Sequence, residues 1–382
     1  MKHTPHLDGT TEPGTPPAST AGVTAHTARI AVTGAAGFLG SRLVRRLLAT
    51  GHEVNALDIR PAAPDIRPAG NAPAGLRSFT GDIRDPHILT PFMADMDAVV
   101  HCATALPTYP GPQIRSIVVD GTRAVLEAAR TAGVPRVVHL SSTAVYGLPK
   151  KVPTPEDYPR VPADAYSGAK LAAERIAERY RAQGMCLPVL RPKTVVGPGR
   201  LGLFAMLFEW ADEGRNFPLL GGGDIRNQML ALDDLVDAVS MVLAAAPEAA
   251  NDTYNIGAQQ FGTLREDFQS VLDAAGHGKR IVSLPARPTV AALRLLDRAH
   301  LSPVYRRLLF KLLSDSYADV SKAHDQLGFR PKWSNQEAIL HSYTWWREQG
   351  RHHGPRPGGA GGGRTSNDVW KQGALALAKR FF

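Results

Sequence analysis

The stretch RIAVTGAAGFLGSRLVRRLLATG, residues 29–51, constrains the fold more than any other part of the chain. Its apolar opening RIAVTG suits a buried strand, TGAAGFLG a tight turn, and SRLVRRLLATG a helix that Gly51 ends. Gly34, Gly37 and Gly40 fall where that strand passes into that helix. Small residues at such a junction let the backbone turn sharply and approach a pyrophosphate, which the free amides and dipole of the helix start stabilise. Phe38 and Leu39 stand in the same turn and complete the predicted cofactor-binding segment. HEVNALD reads as a second strand ending at Asp58, where a carboxylate accepts hydrogen bonds from adenosine ribose hydroxyls and repels a 2′-phosphate. That favours NAD over NADP, although Arg60 two residues later pulls the other way. The same residues would also make an ordinary turn with an aspartate capping the strand end.

The alternation continues through LRSFTGD, a helix around HILTPFMAD, AVVHCAT, the helix GTRAVLEAARTAG and the strand RVVHLSS. Strands alternating with helices predict an α/β chain with a doubly wound parallel sheet of the Rossmann type. We place that cofactor domain at residues 29–190, with 224–258 returning to it, and a smaller C-terminal α/β substrate region mainly at 191–348. Within the latter, RPKTVVGPG and FPLLGGGD read as loops and LDDLVDAVSMVLAAA as a helix. Residues 1–28, rich in Pro, Thr and Gly and without an apolar signal-peptide core, read as a disordered leader. Residues 349–382 read as a flexible Gly-rich tail in which NDVWKQGALALAKRFF could form a short amphipathic helix.

Composition excludes several function classes. Hydrophobic residues make up 43% and charged residues 21%, and no apolar stretch is long enough to cross a bilayer, so a soluble protein without a membrane partner is expected. The formal charge of +9 is dispersed rather than gathered into an aromatic-interleaved stripe, which argues against nucleic acid. Cys102 and Cys186 offer neither paired spacing nor a metal pattern; a reducing cytoplasm and no metal are expected.

YSGAK, residues 166–170, precedes the helical run LAAERIAERY. Tyr166 and Lys170 are then one turn apart on a single face. A phenol titrates at about 10, and a neighbouring ammonium lowers that value by favouring phenolate, so the pair can move a proton at a hydroxyl or carbonyl. The spacing alone also suits a packed ring and a solvated charge.

TGAAGFLG, Asp58, GDIRD, HCAT, SSTAVYG, YSGAK, RPKTVVGPG and LDDLVDA, in this order, resemble the extended short-chain dehydrogenases/reductases, the NAD-dependent epimerase/dehydratase group, over residues 29–348. The resemblance implies NAD as cofactor, Tyr166 as catalytic acid/base and Lys170 as its partner on the nicotinamide ribose. It further implies that Ser142, with Thr143 as the alternative, holds the substrate oxygen. By the same resemblance Asp82 and Ile83 are expected beside the adenine, Ala103 on the pyrophosphate side, and Arg226 on a substrate diphosphate. His101 and Cys102 are expected to be satisfied strand residues.

Departures from the family pattern narrow the reaction. Thr143 and Ala144 stand where 4,6-dehydratases carry Asp and Glu, which disfavours dehydration. No second arginine motif of the RxGD kind is present, and the apolar and basic IVSLPARPTVAALRLLDRAHLSPVY occupies its region. Val118 replaces a family asparagine, and RPKTVVGP replaces RPxNVYGP. Three readings follow: an epimerase of a nucleotide sugar, a dehydrogenase/reductase of a less polar alcohol or ketone resembling the hydroxysteroid enzymes, and a non-catalytic NAD-binding regulator. The resemblance also implies a homodimer through the helices of GTRAVLEAARTAG and YSGAKLAAERIAERY, whose outward faces are expected to carry Ala and Leu.

Overall fold

Runs of four to six residues, several of them followed by an amphipathic helix, build the larger sheet one parallel strand at a time. The structure is a computed structural model that describes residues 27–61, 74–200, 202–286, 288–290 and 313–349. The leader, the tail with its possible helix, and most of IVSLPARPTVAALRLLDRAHLSPVY lie outside the described residues. Strand β1 (Arg29–Thr33) enters the core after one exposed residue; β2 (Glu53–Asp58) and β3 (Leu76–Thr80) follow on one side of it. On its other side lie β4 (Ala98–His101), β5 (Val137–Leu140) and β6 (Val189–Pro192). The chain therefore reverses its direction of travel across the sheet between β1 and β4, which opens a crevice beyond their carboxyl ends.

Helices cover both faces. Helix α1 (Phe38–Ala49) buries Gly40, Leu43, Val44 and Leu47, the stripe its helical period dictates. Each of its large apolar side chains contributes about 1.5–3 kcal/mol of burial. The opposite face is closed by α2 (Pro86–Met93), α3 (Gly111–Arg115), α4 (Gly121–Thr131) and α5 (Ala165–Ala182). A π-helical turn, Ser116–Asp120, joins α3 to α4 and buries Val118. Leu126 and Leu171 are buried within the domain, and the exposed positions of α4 and α5 include Arg123, Glu127, Arg130, Arg175 and Arg179. The expected outward leucines are thus corrected: Leu126 packs under the sheet, and Leu171 against Val145 and Tyr146 in the turn after β5.

Past β6 the pairing becomes non-local. RPKTVVGPG and FPLLGGGD, expected as loops, contain β7 (Thr194–Val196) and β8 (Phe217–Leu220). β7 pairs with β9 (Met229–Ala231), and β8 with β11 (Ile281–Leu284). Runs of three or four residues beside Gly and Pro carry no readable period, and their partners lie far along the chain. Around these pairs α6 (Gly202–Asp212), α9 (Leu264–Ala275) and α11 (Asn335–Gln349) enclose an aromatic core of Phe204, Phe208, Trp210, Phe217, Phe268 and Tyr343. Between them α7 (Leu232–Ala244), which runs beside α1 through Arg42–Asp233 and Arg46–Asp237 ion pairs, leads through α8 (Pro247–Ala250) to β10 (Thr253–Ile256). β10 joins the large sheet next to β6, making seven parallel strands, and the short α10 (Ser321–Leu327) packs near it. No described helix is long and apolar enough to cross a membrane.

Candidate active site

The loop after β1 is shaped by close backbone approach. Gly34 has φ +69°, and a Cβ there would sit 2.7 Å from the Ala103 amide nitrogen at the end of β4. A Cβ on Gly40 would fall 2.1 Å from the Gly34 carbonyl oxygen, so only glycine lets α1 start this close to the turn. Gly37 caps α1 without a side-chain hydrogen bond, leaving its first amides available to an anion. Phe38 lies under the Arg200 guanidinium and Leu39 packs on the core, so these two contribute backbone rather than side chains to the loop. Ala103 N donates to Thr33 Oγ1 at 3.3 Å, which holds the β4 end against β1.

Asp58 ends β2, 8% exposed. Its Oδ2 accepts from Ala36 N and its Oδ1 from Arg60 N, both at 3.0 Å. Arg60 also donates to the Ala36 carbonyl at 2.8 Å, clasping the acid to the glycine loop. Arg60 Nε adds a contact to Oδ1 at 3.4 Å, and since a carboxylate offers about four lone-pair positions these three bonds leave acceptor capacity for a ribose hydroxyl. Gly81 N donates to Asp58 O, which brings GDIRD alongside. There the Asp82 carboxylate is gripped by Arg84 and held below the usual range, while Ile83 is buried and would collide with any Cβ on Gly121. Asp82 is thus already paired, and Ile83 packs within the core under the sheet. The cradle fits a dinucleotide: tight glycines, open amides and a strand-end acid stand in the required order.

The residues expected to handle a proton stand at the end of β5 and the start of α5. Asp164 and Ser167 form a reciprocal cap at the start of α5, with Ser167 N donating to Asp164 Oδ1 at 2.7 Å and Asp164 N to Ser167 Oγ at 3.1 Å. That cap places Tyr166 in the first turn and Lys170 one turn deeper. Lys170 is 4% exposed, and its Nζ donates to the Leu140 carbonyl at 2.8 Å, two residues before Ser142. Burial pushes the Lys170 ammonium down to about 8. Ser142 Oγ accepts from Ala144 N at 3.1 Å, a bond that does not use its own proton. Thr143 Oγ1 donates to the Pro192 carbonyl at 3.3 Å. Beneath them His101 bridges Thr33 Oγ1 and Thr122 Oγ1, and burial pushes His139 down to about 3 with Lys170 adding to the effect. Burial likewise pushes the Cys102 thiol up to about 12. The floor under Lys170 is thus neutral, and among the described residues no cluster could hold a metal ion.

Glu174 was not picked out from the sequence. It follows Lys170 by four residues as Lys170 follows Tyr166, so the three lie on one face of α5, and that repeat was the available signal. Burial alone would raise the Glu174 carboxyl, but Arg191, Ser141 and Arg160 hold it below the usual range. Arg191 grips it with bonds of 2.9 and 2.7 Å, and Arg160 adds one of 3.0 Å. Ser141 Oγ donates to the same carboxylate. Arg191 continues to Tyr146 Oη at 2.7 Å, and Tyr146 to Asn255 Oδ1 at 2.8 Å. This network ties β5, α5, β6 and β10 together directly behind Ser142.

Arg226 belongs to a separate set of contacts, between β8 and β9. Its guanidinium lies over Phe261 and Tyr317, 4.8 and 5.3 Å from their ring centres, and its amide donates to Asp315 Oδ1 at 2.8 Å. A shallow pocket of about 290 Å³ lined by Gly222, Asp224, Ile225, Leu313 and Asp315 adjoins it. The exposed, stacked fork is suited to an anion such as a diphosphate.

The profile of the NAD dependent epimerase/dehydratase family matches residues 30–257. A UDP-glucose 4-epimerase of Mycolicibacterium smegmatis is 32% identical over 336 residues, covering 84% of this chain and 99% of that protein. A 3 beta-hydroxysteroid dehydrogenase/Delta 5-->4-isomerase of Mycobacterium tuberculosis is 29% identical, covering 84% and 90%. Among solved structures, MoeE5 in complex with UDP-glucuronic acid and NAD superimposes with a TM-score of 0.67 at 28% identity, covering 84% of this chain and 99% of that one. Sheet order, glycine cradle and sequence agree, and the chain belongs to the NAD dependent epimerase/dehydratase family.

Proposed function

We propose that the chain is an epimerase of a nucleoside-diphosphate sugar that oxidises one ring carbon transiently and restores it with inverted configuration. The observation that carries this reading is the seating of Lys170 on the Leu140 carbonyl, with Tyr166 a turn before it and Ser142 two residues beyond the contact. Gly34, Gly37 and Gly40, with the amides of Phe38 and Leu39 and with Ala103 beside them, would hold the pyrophosphate of NAD. Asp58 would take the adenosine ribose, and Asp82 and Ile83 would flank the adenine. When bound, NAD supplies the acceptor and donor of the hydride.

Tyr166, as phenolate stabilised by the Lys170 charge, takes the proton of the reacting hydroxyl and later returns it. Ser142 donates its O–H to the same oxygen, and Thr143 borders it. Glu174 acts at one remove by fixing Ser141 and the rotation of α5. Arg226 would bind the substrate diphosphate through the exposed fork. Neutral Thr143 and Ala144 leave water elimination without its carboxylates, and a polar anion fork favours a nucleotide sugar over an apolar ketone.

A second reading, net oxidation of a less polar alcohol, is favoured by the hydroxysteroid relative. Incubating the purified protein with UDP-, GDP- and dTDP-sugars without added cofactor separates the two. A product of equal mass and altered configuration is expected; conversion only while added NAD is consumed would move the assignment to the dehydrogenase. The reading also includes a cytoplasmic homodimer. Light scattering of the purified chain checks the dimer, and a monomer mass would remove it.

A further inference from the structure

Asp267 is a fully buried acid of α9 that the chemistry above does not use. Its Oδ2 accepts from Asn335 Nδ2 at 2.7 Å, its Oδ1 has no hydrogen bond, and among the described residues no basic side chain pairs with it. Burial pushes the Asp267 carboxyl up to about 6, against the pull of the bond from Asn335. Near neutrality the site therefore carries a charge that water would solvate better, and a buried charge held by neutral amides is costly. What this pair supplies in return is connection.

Asn335, 1% exposed at the start of α11, uses both protons and the oxygen of its side-chain amide. Beside its bond to Asp267, Nδ2 donates to the Asn227 carbonyl at 2.9 Å, and Oδ1 accepts from Met229 N at 2.9 Å. These bonds hold the chain immediately after Arg226. The backbone N of Asn335 donates to the Gln260 carbonyl at 3.1 Å, and the Gly262 backbone hydrogen-bonds the Asp267 carboxylate. Gln260 and Gly262 flank Phe261, whose ring lies under the Arg226 guanidinium and whose carbonyl accepts from Arg226 Nη2 at 3.4 Å. One buried pair thus grips the segment that carries Arg226 and both sides of its aromatic shelf. A charged acceptor strengthens the bond from Nδ2 and polarises the amide toward Asn227, which tightens both grips.

We infer that Asp267 and Asn335 are positioning residues for Arg226, a buried clasp that sets the guanidinium and its Phe261 shelf at the spacing a substrate diphosphate needs. This rests on the diphosphate role proposed for Arg226. The test measures binding of UDP, GDP and dTDP by titration calorimetry at neutral pH in saturating NAD, with NAD affinity and melting temperature recorded for each protein. The proteins are the wild type, Arg226→Ala, Asp267→Asn, Asn335→Ala and the double variant Arg226→Ala with Asn335→Ala. Asp267→Asn sheds a buried charge, so it should melt at or above the wild type, yet the best-bound nucleotide should weaken about three- to tenfold while NAD does not. A residue that only stabilises the fold would not separate the two readouts in this direction. Asn335→Ala should weaken the nucleotide at least as much, and should add nothing in the Arg226→Ala background, because both changes remove one contact. If Arg226→Ala weakens the nucleotide and Asp267→Asn does not, or if the Arg226 and Asn335 losses add, the clasp is overturned and the diphosphate site stands. Binding unchanged in Arg226→Ala, or absent for all three nucleotides, overturns both. Should Asn335→Ala not fold, the isosteric Asp267→Asn decides alone.

Discussion

The two halves of this molecule are organised by different rules. In the seven-stranded sheet, each candidate residue stands near the carboxyl end of a strand or in the first turns of a helix, so one short motif places it. In the region after β6, Arg226 is held by Phe261, Asp315 and Tyr317, and Lys193 by Ser316. There the partners come from segments distant in the chain. On the proposed reading, the first half would specify chemistry through local geometry and the second would select a substrate through assembled surfaces. A sequence can exchange the second while keeping the first, which accounts for relatives as different as a sugar epimerase and a hydroxysteroid dehydrogenase.

This division can be broken by experiment. Its largest predicted effect is that Tyr166→Phe lowers kcat by about 10²- to 10⁴-fold while NAD binding persists; activity within a few-fold of the wild type would remove Tyr166 from the chemistry. The next concerns the buried lysine. Its folded value of about 8 lies below the ordinary 10.5, so the native state binds fewer protons between those values and stability rises with pH across that window. Below pH 8 the burial of the charge costs about 3 kcal/mol. Lys170→Met should therefore gain most in unfolding free energy over the wild type near pH 7, and the gap should close toward pH 10; a pH-independent gap in chemical denaturation would contradict it.

Smaller effects sharpen the comparison. Arg226→Ala should raise KM for the nucleotide sugar roughly ten- to a hundredfold with little change in NAD affinity. A KM unaffected by this change would detach the aromatic shelf from the diphosphate. Asp58→Ala should weaken NAD by about 0.5–1.5 kcal/mol, the worth of an ordinary hydrogen bond, and NADP less. Titration of both cofactors checks it, and equal losses would mean that Arg60, not Asp58, sets the cofactor choice.

Most of the larger sheet was legible because its strands and helices have clear periods and its turns carry obligatory glycines, as Gly34 and Gly40 show. Tyr166 and Lys170 could be paired from their spacing at the start of α5, a local feature, whereas Ser142 was named only through the family resemblance. What escaped was cooperative. Glu174 reads as another surface acid of a charged helix until Arg160, Arg191 and Ser141 are folded around it. β7 and β8 read as loops because their hydrogen bonds are made with β9 and β11. The polarity of α4 and α5 was misjudged for a related reason: Leu126 was seen without the sheet that buries it, and Leu171 without the turn of Val145 and Tyr146 that covers it.

Transient oxidation with return of the same hydride is the central claim, and isotope tracing tests it most directly. A nucleotide sugar deuterated at the carbon to be inverted should yield, without added cofactor, an epimer that keeps its deuterium at that carbon. Deuterium found instead in released reduced cofactor, or lost to water, would contradict the claim and assign net redox or proton-exchange chemistry to this site.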